Sequence, residues 1–192
     1  MATFTVVYDA CVLYPAPLRD LLLRIGAAGI ARARWTDEIL DEMVAAILRN
    51  RSDLDPGALN RTRELMCRAL PDCLVREYHG LADTAELPDP RDRHIVAAAI
   101  RCGAQAIITT NLKDFPDHVL ARWDLEAKHP DEFVNESIDI APGVVVGCLT
   151  EPAAALKSPP QTVEQLLARF RAIGLVRSAG HLRDLVTPIS LS

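Results

Sequence analysis

Three carboxylates stand at positions where loops and strand ends gather ligands. Asp9 follows TFTVVY at residues 3–8, a β-branched and aromatic run that predicts a buried strand ending in an acid. Residues 106–109 (AIIT) repeat that pattern and empty into Asn111, Leu112, Lys113 and Asp114, a polar loop closed by Pro116. Asp92 lies in the first turn of a helix that Asp89 and Pro90 announce as N-cap and first helical residue. In open parallel α/β sheets, ligands collect beyond the carboxyl ends of the strands, so a suitable strand order brings all three acids to one crevice. Acids so placed repel one another unless a cation sits among them, and hard oxygen ligands suit Mg2+ or Mn2+.

Each acid also has an ordinary structural use. Asp9 and Asp114 can be simple turn or loop residues, Asp89 is well placed as a cap, and Asp92 at the third helical position would help satisfy a helix terminus. A fourth acid comes from the helix capped by Thr36, which offers Asp37, Glu38, Asp41 and Glu42. Projected at roughly 100° per residue, Glu38 falls opposite the stripe of Ile39, Leu40, Met43, Val44 and Ile47, while Asp41 and Glu42 flank it. Periodicity rejects Glu38 and leaves the other two open. Thr109, Thr110 and Asn111 can hydrogen-bond a ligand, although a strand-end hydroxyl more often satisfies its own backbone. His94, beside Arg93 in a first helical turn, reads as a surface or half-buried residue rather than a general base.

The elements that must position these groups follow from period and punctuation. Leu18, Leu21, Leu22 and Ile25 predict a helix over 17–26 stopped by Gly26, and Asp55–Pro56 opens another that runs to about Leu70. The helix after Asp89–Pro90 carries Ile95, Val96, Ala99 and Ile100, and Gly103 falls where a left-handed stop belongs. Strands alternating with helices imply an α/β layer structure with a mainly parallel sheet. From about Lys128 the texture becomes helical, broken by Pro142, Pro152, Pro159 and Pro160, with Thr162 introducing a helix of Val163, Leu166, Leu167 and Phe170. No strand pattern there extends the sheet. The expected division is a domain over 1–127 and a helical extension over 128–192 that serves as a lid or partner-binding unit.

Bulk properties narrow the function. The 192 residues are 49% hydrophobic but only 5% aromatic, which suits one sizeable core of Ala, Leu, Ile and Val. No apolar run approaches the ~20 residues of a membrane span, and the start lacks a signal pattern, so a cytoplasmic location is expected. The five cysteines are odd in number, widely spaced and without a CxxC, which suits reduced thiols better than disulfides or structural zinc. A net charge of −5 argues against nucleic-acid binding by a broad basic surface. It allows an acidic centre with arginines at the rim, for which Arg19, Arg24, Arg32, Arg34, Arg61, Arg63, Arg68, Arg91 and Arg93 are candidates. Two rivals lack a needed acid. A haloacid-dehalogenase-type phosphatase wants a second Asp two residues after the first, where this chain has Cys11, and a phosphoacceptor receiver wants an acid pair that Asp9 does not have.

The blocks VVYDACVLYPAPLRDLLL, WTDEILDEM and LPDPRDRHIVAAAIRCGAQAIITTNLKDFP, in this order over residues 3–125, resemble the PIN domains and, more specifically, the VapC-like toxins of bacterial toxin–antitoxin pairs. The resemblance implies a three-layer α/β/α PIN-like fold with a C-terminal helical extension, and a metal-dependent endoribonuclease that inhibits translation. It matches Asp9, Glu42, Asp92 and Asp114 to the family's acidic set, choosing Glu42 over Asp41, with Asp9, Asp92 and Asp114 as ligands of Mg2+ or Mn2+. Asn111 stands where relatives carry Asn or Asp, so the fourth position is shared between Asn111 and Asp114, and Thr110 supports the site. The partners implied are an RNA substrate, a cognate antitoxin that inserts a segment over the crevice with an Arg among the carboxylates, and a second copy in a homodimer. The segment from His129 (HPDEF) looks like the extension carried by a subset of these toxins. An RNA-processing nuclease without an antitoxin, or a PIN fold turned noncatalytic binding module, are the alternatives.

Overall fold

The computed structural model describes residues 4–84, 86–155 and 162–187. Thr3 of the first predicted strand and the Pro-rich break at 158–161 lie outside the described residues. Strand β1 (Thr5–Tyr8) is followed by α1 (Ala10–Leu13), α2 (Ala16–Ala27), β2 (Arg32–Arg34), α3 (Asp37–Asn50) and α4 (Pro56–Ala69). Then come α5 (Arg93–Cys102), β3 (Ala106–Ile108), α6 (Asp117–Leu120) and β4 (Glu126–Lys128). Four further helices follow among the described residues: α7 (Pro130–Ile140), α8 (Pro142–Ala155), α9 (Val163–Ala172) and α10 (Val176–Val186).

The sheet is parallel throughout, in the order β2-β1-β3-β4. Every residue of β1 and β3 is buried, as the central strands of a parallel sheet covered by helices on both faces must be. The chain steps outward from β1 to β2 on one side and to β3 and β4 on the other, so the order reverses between β1 and β3. That is where side chains beyond the strand ends can share a crevice.

β2 and β4 add to the two strands that the sequence pattern predicts. Each has three residues, RAR and EAK, too short and too polar to show alternation, and each forms by pairing with an already buried neighbour. The helix predicted to stop at Gly26 continues to Ala27, and the chain turns instead at Gly29, whose φ of +77° favours glycine. The start at Asp89–Pro90 is also different in kind. Asp89 caps a single 3-10 turn, Pro90–Asp92, and α5 begins only at Arg93. Thr36 and Asp55 cap α3 and α4 as their types predict, with Thr36 Oγ1 accepting from Ile39 N at 3.0 Å, and Gly103 ends α5 at φ 63°.

The C-terminal segment is helical, but α8 runs through Pro152 rather than breaking there. Its helices belong to the same apolar interior as the sheet, contributing Phe133, Val134, Ile138, Leu167, Phe170 and Leu182. Tyr8 of β1 stacks on Trp35 at 6.3 Å and meets Phe133 of α7 edge-on at 6.2 Å, so one aromatic cluster joins both parts of the chain. All five cysteines are free thiols. No single helix among the described residues is long and apolar enough to cross a membrane.

Candidate active site

At the reversal point between β1 and β3 lies a cleft of about 550 Å³ whose walls include Asp9, Glu42, Asp92 and Asn111. Asp9 comes from the end of β1. Its amide donates to the Ile108 carbonyl at 3.1 Å, continuing the β1–β3 ladder by one residue. Its carboxylate also faces the first turn of α1, but the capping bond from Cys11 N is long, at 3.5 Å. The stronger restraints come from the side: Thr109 Oγ1 donates to Asp9 Oδ2 at 2.7 Å and the Cys11 thiol does so at 3.1 Å. Burial and the neighbouring Asp9 push that thiol up to about 11, so Cys11 stays protonated and keeps its donor. Asp9, 8% exposed, is thus held from one side and open to the cleft on the other.

Asp92 sits where the 3-10 turn hands over to α5 and makes no side-chain capping bond. The expected role in satisfying a helix terminus is therefore absent, and the carboxylate is left to the cleft. Its pKa is pushed up to about 6, by partial burial first and then by the charges of Asp9, Asp89, Asp114 and Glu42. Glu42 and Asp41 part company on α3. Asp41 is ion-paired with Arg63 of α4, whereas Glu42 lines the cleft.

The loop after β3 divides its polar groups. Asn111 faces the cleft, and its side-chain amide donates to Asp114, so Asp114 stands behind it and reaches Asp92 through its charge. Thr109 is buried and anchors the turn by accepting from Asn111 N at 3.0 Å. Thr110 is exposed, and its backbone N–H donates to Cys11 Sγ at 3.3 Å.

Three groups lie closer to this centre than sequence reasoning placed them. His94 is only 6% exposed, with Nε2 3.2 Å from Glu42 Oε1 and Nδ1 3.6 Å from Glu38 Oε2, and neither approach is aligned as a hydrogen bond. Burial opposes the charged ring, but the Glu42 and Glu38 carboxylates outweigh it and hold its pKa above the usual histidine value. Glu38, rejected by periodicity, bridges His94 and the Tyr78 hydroxyl, which donates to it at 3.1 Å. A helix wheel reports distance from the apolar stripe but not which neighbouring element covers the other side. In the sequence Cys11 reads as a reduced thiol standing where a phosphatase of the dehalogenase type would carry an acid, with no role at the site. Its signal was present in its spacing, two residues beyond Asp9 and in the turn that Asp9 caps.

The arginines sort differently from the candidate set. Arg91 reaches the cleft, bonded to Asp89 through two nitrogens, and Arg49, which was not a candidate, lines it as well. Arg19 is turned inward to the Leu13 carbonyl at 2.7 Å, and Arg63 and Arg24 are engaged by carboxylates.

Among the described residues, no three His, Cys, Asp or Glu side chains converge closely enough to enclose a cation as they stand. The donor chemistry nevertheless fits one. Several carboxylates crowd one cleft, where burial first and their charges second raise Asp92, and a hard divalent ion would relieve that charge.

Comparisons with known proteins match two family models to this chain. The family model described as the PIN domain matches residues 5–113, and the one described as the VapC50 C-terminal domain matches residues 130–184. Over 77 residues the chain is 39% identical to a Mycobacterium tuberculosis (strain ATCC 25618 / H37Rv) protein named "Putative ribonuclease VapC50". That stretch is 40% of this chain and 46% of the relative. No solved structure matches significantly. With the PIN model covering more than half of its length and a parallel sheet of that architecture, this chain belongs to the PIN-domain family.

Proposed function

We propose that the protein is a metal-dependent endoribonuclease, the toxin of a VapBC-type toxin–antitoxin pair, which hydrolyses RNA phosphodiester bonds and thereby inhibits translation. One observation carries the nuclease reading: acids from β1, α3 and the start of α5 line a single cleft, and Asp92 among them makes no capping bond. The 39% identity to a protein named as a ribonuclease supports the choice of RNA.

Asp9, Asp92 and Asp114 would hold Mg2+ or Mn2+, with Glu42 as a further ligand or as the group that orients a bound water. When bound, such an ion lowers the pKa of its water and neutralises charge developing on the phosphate. The remaining work falls to the chain. Thr109 and the Cys11 thiol fix the Asp9 carboxylate on one side, and His94 holds Glu42 from behind. Asn111 lines the cleft with Asp92 while its amide holds Asp114, and Thr110 supports the turn through its backbone N–H to Cys11. No side chain is required as nucleophile.

A toxin of this kind acts in the cytoplasm, as a homodimer, and is silenced by an antitoxin encoded beside it. An acidic cleft with a raised Asp92 suits an inserted antitoxin arginine, since a guanidinium can pair with two carboxylate oxygens at once. The test is cleavage of structured and single-stranded RNAs with Mg2+ or Mn2+, wild type against Asp9→Asn. Activity is expected in the wild type and its loss in the variant. Equal activity in the two proteins, or none in either, would sink the nuclease reading and favour a noncatalytic PIN fold.

A further inference from the structure

The cleft is longer than its acidic cluster. Its other half is lined by Tyr14, Ala45, Ala46, Arg49 and Asn50, none of which can serve a hard cation as a carboxylate ligand. Four of the five lie on α3, three, four, seven and eight residues beyond Glu42, the spacing that places side chains on one helical face. At a rise of about 1.5 Å per residue, Arg49 stands roughly 10 Å along the helix from Glu42. Stacked nucleotides advance ~3.4 Å each along a strand, so the acidic end and Arg49 are separated by a few nucleotides at most.

The chemistry of this half is that of an anion and a flat ring. Arg49 is exposed and has no hydrogen-bond or ion-pair partner among the described residues, although acids are plentiful nearby. Arg51, just past the end of the helix, is by contrast paired with Asp53 at 2.8 Å. The Tyr14 ring is half-buried at the end of α1, and its turn is fixed from beneath by Arg19, whose Nη1 donates to the carbonyls of Leu13 and Tyr14 at 2.7 and 3.4 Å. Ala45 and Ala46 end at Cβ and leave the floor between Tyr14 and Arg49 open. The Asn50 amide is engaged by the Ala46 carbonyl at 2.9 Å, so it closes the end of the helix rather than filling the floor.

We propose that this half is a nucleotide subsite for single-stranded RNA, in which Tyr14 stacks on a base over the Ala45 and Ala46 floor and Arg49 receives a phosphate flanking the scissile one. It deepens, and rests on, the endoribonuclease reading of the same cleft. A duplex hides its base faces, whereas an unpaired strand can offer one to an aromatic ring. The subsite therefore selects for unpaired segments and leaves the acidic end to act on the adjoining phosphodiester.

The experiment measures binding apart from cutting. A fluorescently labelled single-stranded RNA octamer is titrated by anisotropy into full-length Asp9→Asn protein, which is compared with the same protein carrying a second change. Tyr14→Ala is expected to weaken binding about 5- to 100-fold, while Tyr14→Phe retains it. Arg49→Ala should reduce the slope of log affinity against log salt by about 0.7, the loss of one phosphate contact on a single strand. Ala45→Trp adds bulk at an exposed position that carries no core packing, and it should block binding without altering the melting temperature. A duplex of the same sequence should bind at least about tenfold more weakly.

The proposal is overturned if the parent does not bind the octamer, if Tyr14→Ala and Ala45→Trp both bind as the parent does, or if the duplex binds equally well. Wild-type cleavage keeps the two readings apart. A protein that cuts RNA while these variants bind normally loses the subsite alone, and one that shows the expected binding pattern yet never cuts loses the nuclease reading alone.

Discussion

The choice between Asp41 and Glu42 shows how a single residue acquires a role. Both flank the apolar stripe of α3, and only the neighbours differ: Arg63 of α4 engages Asp41, while Glu42 opens into the cleft against His94. Glu42→Gln is therefore expected to lower RNA cleavage about 100-fold or more, and Asp41→Asn to leave it within about twofold, as read from initial rates under saturating metal. Asp92 makes a second prediction, about the metal-free protein. Its folded pKa of about 6 stands above the ordinary aspartate value of 3.8, so its contribution to stability is fully present below that lower value and is lost as pH rises through about 6. Metal-free Asp92→Asn should melt above the wild type near pH ~7.5, with the gap closing as pH falls toward ~4. Thermal melts across that range check it, and an Asn variant that melts no higher at neutral pH would refute the crowding of charge inferred for the cleft.

Among the elements, the caps and stops were plain in the sequence because each is a local bargain between one side chain and one helix end. Thr36 is fully buried and its hydroxyl accepts from Ile39 N, so Thr36→Ala is expected to cost about 1–2 kcal/mol, measured by urea denaturation, and to loosen the helix that carries Glu42. Asp89 shows the limit of such signals. An acid followed by Pro marks a start, but the signal does not say whether the first turn will be 3-10 or α. Here it is 3-10, and that one difference frees the Asp92 carboxylate from capping. The edge strands β2 and β4 were invisible for another reason. Three residues cannot display a period of two, and their conformation is imposed by hydrogen bonds to β1 and β3.

At the scale of the molecule, the C-terminal helices are wedded to the sheet rather than hung beside it. Asp131, near the start of α7 and 8% exposed, accepts from Arg177 N and Ser178 N at 2.9 Å each and from the Ser178 hydroxyl at 2.6 Å, so it caps α10 from another helix. Burial alone would raise its pKa, but these donors outweigh it and hold the carboxyl below its usual value. The stability it supplies is present above the ordinary carboxylate pKa and is lost as pH falls through the lower folded value. Asp131→Ala leaves three donors without an acceptor and is expected to cost about 2–3 kcal/mol near neutral pH, with earlier proteolytic release of the chain end. Denaturant titration and a limited-proteolysis time course read the two effects, and unchanged values in both would refute the cap as the tether.

Much of this protein was decided by short-range chemistry: two buried strands each ending in acids or amides, helices with their caps, and a parallel α/β order that sends Asp9, Asp92 and the Asn111–Asp114 loop to one edge. Those features are legible because periodicity and capping act over a few residues. What the tertiary structure alone decided depends on which elements become neighbours. The reversal of strand order between β1 and β3 opens the cleft, α4 claims Asp41, α5 brings buried His94 against α3, and Thr109 reaches across the sheet to Asp9. None of these pairings leaves a mark in spacing, since each joins residues that are distant along the chain and meet only when the apolar interior closes. The scattered acids are thus written in the sequence, whereas their common cleft is a product of packing.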